Sequence, residues 1–477
     1  MRREIVKFCL LGIMILISVT ASYNYISISE QGLRRVHGSV IFPRIDLGDY
    51  KLEYRGRGYT FLDPFQREFP DNEKNFESYL SGPNIAFRFE KFIKENALGS
   101  ILQQKIPQFT ITLQGALNEI RRIQDLLGKD PKELKEDVLK TLDQEAEKLE
   151  DLIKGVNKFI TEQAKVNPQI KDFLVEIGRE FGHALGFYMV NIRKILLENE
   201  RPQSEVDELI SKVVLVGGVA EHLGLNLTAD PLINEGVIGG VNEVFQKTGI
   251  RGIKPDIRRT QYQGNFPRDF WAFLPKKSDE YSTAVTVGGT KILAGSVDKD
   301  GELLSGKISG GSWKTKLTGQ GILPSQEEAA KSAVIDYIVK LINEVNENTK
   351  HIGKTPAKIG ISWAGSGEYR DGKVIGTNIW GLGKGINLIE ELQERLSPGL
   401  KNIPIEIQHD GIAAAKGEIS SQGTFKNENN LLAVIWGTGI GAGVLIDKGA
   451  YYDIPTLRAL GIPLGEIGHH IIFVTKP

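Results

Sequence analysis

Four apolar runs constrain this chain more than any other feature: Val213–Val216, Ala284–Val287, Ile359–Ser362 and Leu431–Trp436. They end in glycine-containing turns and alternate with stretches of helical periodicity. Short β-branched runs spaced by helices predict α/β layers, in which helices pack on sheets. A helix is expected over 325–348, where Ser325 and Glu328 stand at capping-box spacing.

The first half reads differently. Residues 24–75 mix aromatic and charged residues with scattered Gly and Pro, the pattern of short strands and loops. From about Phe87 to Glu200 the period is helical. Leu142, Leu149, Ile153, Val156 and Ile160 form an apolar stripe, and Leu117, Ile120, Ile123 and Leu127 a second one. Two such stripes predict a helical hairpin packed within the chain, with a coiled-coil partner surface as the alternative. Asn167-Pro168 ends the run, and a further helix is expected over 171–197. The stretch Ile253–Lys277, with five aromatic residues and no clear period, reads as a connector.

Charge narrows the function classes. With 59 Lys+Arg against 60 Asp+Glu the net charge is −1, and no basic cluster offers a footprint for nucleic acid. One cysteine, Cys9, excludes an intrachain disulfide framework and a Cys-based metal cluster. Arg2, Arg3 and Lys7 precede the apolar run Cys9–Val19, which is shorter than the roughly 20 residues of a bilayer span. With Val19 and Ala21 at −3 and −1, residues 1–23 read as an export signal or anchor, or else as a buried first element. Localisation stays open between export or membrane anchoring and the cytoplasm.

Glycine carries the chemistry. Val287-Gly288-Gly289-Thr290-Lys291 and Trp436-Gly437-Thr438-Gly439-Ile440-Gly441 each place a Gly-Thr turn between two β-runs, and Val216-Gly217-Gly218 ends a strand before a helix. Such turns let backbone N–H groups approach an anion, although each alone is equally an ordinary turn. Neither GxGxxG nor GxxxxGK[ST] fits, which argues against Rossmann and P-loop sites. Two Gly-Thr hairpins, one per α/β unit, would instead offer one turn each to a nucleotide lying between them.

Ile405–His409 reads as a strand delivering Asp410 to a helix start, where its carboxylate is either a base for a substrate hydroxyl or an N-cap. Gly465-Glu466-Ile467-Gly468-His469-His470 offers a carboxylate and an imidazole to polyol hydroxyls, or simply surface and core residues.

Together, Gly288–Ile292, Asp410 with Ala413–Glu418, Gly437–Gly443 and Gly465–His469 occur in the order of the ROK family, which this chain resembles over 281–473. That family comprises sugar kinases, repressors and open reading frames of unknown role. The resemblance implies the two-lobed actin–hexokinase (ribonuclease H-like) α/β fold and ATP- and Mg²⁺-dependent phosphorylation of a hexose or amino sugar. By the same resemblance Asp410 is the catalytic base. Glu466, His469, Glu77 and Asn378 would contact the sugar, as would His409, which stands where the family usually has Asn. Gly288, Gly289, Thr290, Lys291, Gly437, Thr438, Gly439 and Gly441 would cradle phosphate, and Gly217 and Gly218 would lie under adenosine.

The family's last segments precede its first ones here. Asn75–Pro83 resembles the segment with the sugar-binding glutamate, and Ala184–Leu197 with Val213–Glu221 the closing helix and adenosine turn. The expected organisation is a leader at 1–23, a sugar-loop segment at 24–83 and a helical insertion at 84–170. The closing helix, Gly-Gly turn and connector follow at 171–278, and the phosphate motifs with Asp410 at 279–477. This is a circular permutation, or a piece of a longer tandem chain. One chain closing its own site would pair 37–42 with 469–474. Thr286 stands where the family usually has an acidic residue acting on Mg²⁺, and no Cys-rich loop exists to hold structural zinc. These departures favour, as the alternative to a kinase, a non-catalytic sugar-binding or scaffold protein. The absence of a helix-turn-helix segment argues against a repressor. Homo-oligomerisation is left open.

Overall fold

The computed structural model describes residues 80–96, 98, 115–123, 136–198, 200–261, 267–288, 291–305, 308–313, 317, 320–322, 326–364, 373–374, 386–437 and 440–450. It also gives the backbone of short strands at 34–36, 39–41, 45–46, 50–52, 55–56, 73–75 and 471–474.

Strands β1 (Arg34–Val36), β2 (Ser39–Ile41), β3 (Ile45–Asp46), β4 (Tyr50–Leu52), β5 (Arg55–Gly56) and β6 (Glu73–Asn75) come first. A helical stretch follows: α1 (Gly82–Glu95), residues 115–123, α2 (Glu136–Ala164), α3 (Pro168–Glu198) and α4 (Gln203–Ser211). Next are β7 (Lys212–Val216), α5 (Gly218–His222), α6 (Ile238–Lys247), β8 (Asp256–Arg259) and a 3-10 helix, Arg268–Phe273. The remainder runs β9 (Glu280–Val287), β10 (Lys291–Asp298), β11 (Ser309–Ser312), α7 (Glu327–Thr349), β12 (Thr355–Trp363), β13 (Lys373–Val374), β14 (Ile386–Asn387), α8 (Leu388–Arg395), β15 (Ile405–His409) and α9 (Asp410–Ile419). It closes with β16 (Leu431–Trp436), β17 (Ile440–Ile446), β18 (Gly449–Ala450) and β19 (Ile471–Val474).

Two five-stranded sheets share one plan. The first has the order β11-β10-β9-β12-β15, with β9–β11 an antiparallel meander and β12 and β15 parallel to β9. The second has the order β18-β17-β16-β7-β8, with β16–β18 antiparallel and β7 and β8 parallel to β16. This is the two-lobed α/β architecture expected of the actin–hexokinase fold. In the first sheet the parallel strands follow the meander in the chain; in the second they precede it.

Alternation along the second sheet sets its layers. Val213 and Leu215 face one core with Leu432, Val434 and Trp436, while Val214 and Val216 face another with Leu431 and Ala433. Burial on both faces is what parallel strands need, since helices must cover each side. The outer face is covered by α1, residues 115–123, α2 and α3, whose Leu117, Ile120, Ile123, Leu149, Ile153, Val156 and Ile160 join that core. The helical stripes therefore pack within the chain, and the pairs Arg122–Glu145 and Lys148–Glu119 tie residues 115–123 to α2. Helix α3 begins at Pro168, whose fixed φ suits the first helical position. The Asn167 side chain accepts from the Gln169 N–H at 3.0 Å.

Three expectations need correction. Helix α7 starts at Glu327 with Gln326 as N-cap and no side-chain cap, so Ser325, outside the described residues, does not define the start. A cap contributes only about 0.5–2 kcal/mol, and burial of Ala330 and Val334 outweighs it. The aromatic stretch 253–277 is no mere connector. It supplies edge strand β8 and a 3-10 helix that seats Phe270 and Phe273 on the inner face of the first sheet. Finally, β19 pairs with β4 and β6, whereas β2 pairs with β1 and β5. The end of the chain thus joins its beginning, but through 50–52 and 73–75 rather than 37–42.

Candidate active site

Asp410 is the first residue of α9, at the carboxyl end of β15. Crevices outside the carboxyl ends of parallel strands are where open α/β sheets bind ligands. His409, not Asp410, is the N-cap; its Nδ1 accepts from the Gly411 N–H at 3.1 Å, and Asp410 Oδ1 accepts from the same group at 2.7 Å. His409 Nδ1 also lies 3.3 Å from Asp410 Oδ1. The Asp410 side chain is 33% exposed against 12% for His409, leaving the carboxylate open to a substrate.

Helix α9 is wedged between the sheets by glycine. A Cβ on Gly443 of β17 would lie 1.9 Å from the Gly411 carbonyl oxygen, and one on Gly411 would lie 2.3 Å from that of Ala442. On the opposite face a Cβ at Gly417 would meet the Arg268 carbonyl oxygen at 2.7 Å. Backbone approach this close tolerates no side chain.

The phosphate-turn candidates divide between the sheets. In the first, the Gly288 N–H donates to the Lys291 carbonyl at 2.8 Å, closing the β9–β10 hairpin. In the second, Gly217 (φ +100°) and Gly437 end adjacent strands β7 and β16, and a Cβ on Gly217 would lie 2.8 Å from the Trp436 carbonyl oxygen. Gly218 has no atom within 4 Å of the Cβ it lacks, so its backbone is open to approach. Gly441 lies in β17 opposite Ile435. The segment before α1 docks on this turn: the Gly82 N–H donates to the Gly437 carbonyl at 2.9 Å, and Trp436 Nε1 to that of Leu80 at 2.7 Å.

Glu221, just past the Gly217-Gly218 turn, accepts from the Gly217 N–H at 3.1 Å and pairs with Arg268. Burial pushes its carboxyl up, but Arg268 and the Gly217 N–H more than offset this and hold it below the ordinary value. A depressed folded pKa stabilises above the ordinary carboxylate range and ceases to do so as pH falls through the lowered value. Glu221→Gln is therefore expected to cost about 1–3 kcal/mol at pH 7. Urea midpoints should show the gap to the parent closing at acid pH; a gap independent of pH would dismiss the pair as its source.

Sequence reasoning missed Asp269. It lies in the 3-10 helix, 7% exposed, and its Oδ2 accepts from the Thr286 hydroxyl at 2.7 Å. Burial pushes this carboxyl up, Ser362 and Thr286 offset part of that, and the charge of Asp410 adds to it. Asp269 thus places a carboxyl beside position 286, where the sequence has threonine. A charged residue among Phe270, Trp271 and Phe273 was the available signal. Glu77, Asn378, Glu466, His469, Gly289, Thr290, Thr438 and Gly439 lie outside the described residues, as does 1–23. Ile471↔Asn75 are strand partners, two residues along the chain from His469 and Glu77 respectively. Among the described residues no helix is long and apolar enough to cross a membrane, and no group of three or more His, Cys, Asp or Glu could hold a metal.

Comparison with known proteins gives a match to the ROK family over residues 282–473. A glucokinase of Streptomyces coelicolor is 29% identical over 164 residues, 34% of this chain and 42% of that protein. Among solved structures, a ROK family glucokinase from Streptomyces griseus in complex with glucose and AMPPNP is 23% identical, with a TM-score of 0.28 over 36% of this chain and 47% of that one. A ROK family transcriptional regulator, a homolog of the E. coli MLC protein, is 14% identical, with a TM-score of 0.28 over 36% and 38%. The matches span less than half the length of each of these proteins.

Proposed function

We propose, from the premise that residues 282–473 of this chain belong to the ROK family, that the protein is an ATP-dependent kinase of a hexose or amino sugar. The observation that carries this reading is Asp410, a partly exposed carboxylate at a strand's end and a helix's start, wedged in place by Gly411 and Gly443. Its role is to take the proton of the sugar hydroxyl as that oxygen attacks the γ-phosphate of ATP. The similarity to glucokinases supports the reaction class.

In this reading the backbone at Gly288 and Gly437 faces phosphate, and the open backbone at Gly218 lies under adenosine. Lys291, Gly289, Thr290, Thr438, Gly439 and Gly441 complete the turns; His409, Asn378, Glu77, Glu466 and His469 line the sugar. Mg²⁺, bound with the nucleotide, would neutralise charge on the transferring phosphoryl group. Phosphoryl transfer asks chiefly for positioning and charge stabilisation, which glycine turns joined to the strands of two sheets are suited to supply.

The chain order is read as a circular permutation. What supports it is the second sheet, whose parallel strands β7 and β8 come before the meander, together with β19 lying between β4 and β6. Purified protein given ATP and Mg²⁺ is expected to release ADP with at least one member of a panel of hexoses and amino sugars. Saturable sugar binding without ADP release would replace this reading by that of a non-catalytic sugar-binding protein.

A further inference from the structure

The ends of three neighbouring strands line up in the first sheet: Thr286 of β9 is paired with Ser362 of β12, and Ser362 with Gln408 of β15. Asp410 follows two residues later. Onto this row the 3-10 helix lowers Asp269, held there by two rings that follow it in the chain. Phe273 occupies the space a Cβ on Gly360 would need, at 2.0 Å, and Phe270 that of one on Gly295, at 2.9 Å. Asp269 lies outside the ROK-matched residues, so no property of that region accounts for it.

The surroundings of this carboxylate are unbalanced. Thr286 donates to it, yet the charge it feels most is another carboxylate, Asp410. The adjacent cation, Arg268, is engaged by Glu221. Ser362 is fully buried beside Asp269, and its hydroxyl has no well-formed hydrogen bond. A buried carboxyl is costly to ionise unless a cation stands beside it, and a buried hydroxyl whose only contact with that carboxyl is a poorly formed bond calls for a reason. A small hydrated cation would answer both. Mg²⁺ keeps several of its waters and binds through one or two carboxylates, so a cluster of three protein ligands is not required.

We infer that Asp269 and Asp410, with the hydroxyls of Thr286 and Ser362, form a site for one hydrated divalent cation at the carboxyl ends of β9, β12 and β15. Asp269 supplies from the connector the carboxylate that position 286 lacks. The inference rests on the kinase reading for its purpose, but ion binding can be measured without turnover.

The test titrates Mn²⁺ alone into the full chain and follows the free ion by electron paramagnetic resonance, with Mg²⁺ as competitor. One ion per chain is expected. Asp269→Asn should weaken binding at least tenfold, and the double variant Asp269→Asn with Thr286→Asp, which returns a carboxylate to the neighbouring position, should recover it. Circular dichroism establishes that each variant is folded. Because burial already disfavours the charged form of Asp269, an amide in its place should leave the melting temperature of Asp269→Asn at or above that of the parent. A parent that binds no Mn²⁺, unchanged binding by Asp269→Asn, or a folded double variant that fails to recover it overturns the site. Mn²⁺ behaviour as expected with no ADP release from any sugar would sink the kinase reading and leave the ion site standing. ADP release by a parent that binds no Mn²⁺ would do the reverse.

Discussion

Asp410→Asn is expected to lower the rate of sugar-dependent ADP release by about 10²–10⁴-fold, the usual contribution of a positioned general base. The substitution is close to isosteric. Its amide oxygen can still accept from the Gly411 N–H, as Oδ1 does at 2.7 Å, and His409 still caps α9. Stability should therefore stay within about 0.5 kcal/mol of the parent, as for a substitution that removes no packing. Sugar affinity, measured by calorimetry, should change little, because the proton moves only as the hydroxyl attacks. Equal sugar binding with lost turnover is the signature of a group acting in the transition state. A rate within threefold of the parent would remove Asp410 from the chemistry and reduce it to a helix-start residue.

What could be read from the residue string follows from what is local. Val213–Val216 and Leu431–Trp436 are strands because β-branched and apolar runs ending at glycine leave few alternatives, and the place of Asp410 was legible because strand, acid and helix are consecutive. That β7 lies beside β16 is not local: the two are joined across more than 200 intervening residues, and nothing in either run names its neighbour. Asp269 was invisible for a related reason. Its burial depends on Gly360 and Gly295 vacating space for Phe273 and Phe270, and its partner Thr286 lies across a layer boundary. Threonine at position 286 is plain in the residue string, but that a carboxyl lies beside it emerges only with the 3-10 helix placed against the first sheet.

Gly443→Ala is expected to be the most damaging small substitution among the described residues. Its new Cβ would sit 1.9 Å from the Gly411 carbonyl oxygen and 2.2 Å from the carbonyl carbon, both backbone atoms at the start of α9. No rotamer change relieves a backbone clash, so either α9 lifts from β17 or β17 bends. Lifting α9 is opposed on its other face, where Gly417 already rests against Arg268. Overpacking typically costs about 1–3 kcal/mol where side chains can adjust, and this contact should cost about 3 kcal/mol or more. The matched control is Gly239→Ala in α6, where the added Cβ has no atom within 4 Å. There the same methyl group should stabilise by up to about 1 kcal/mol through helix propensity. Opposite shifts of the urea midpoint, with turnover falling only in Gly443→Ala, would trace the placement of Asp410 to the contact between two glycines. Equal shifts would mean that α9 is not seated on β17, and Asp410 would lose the fixed geometry on which its role depends.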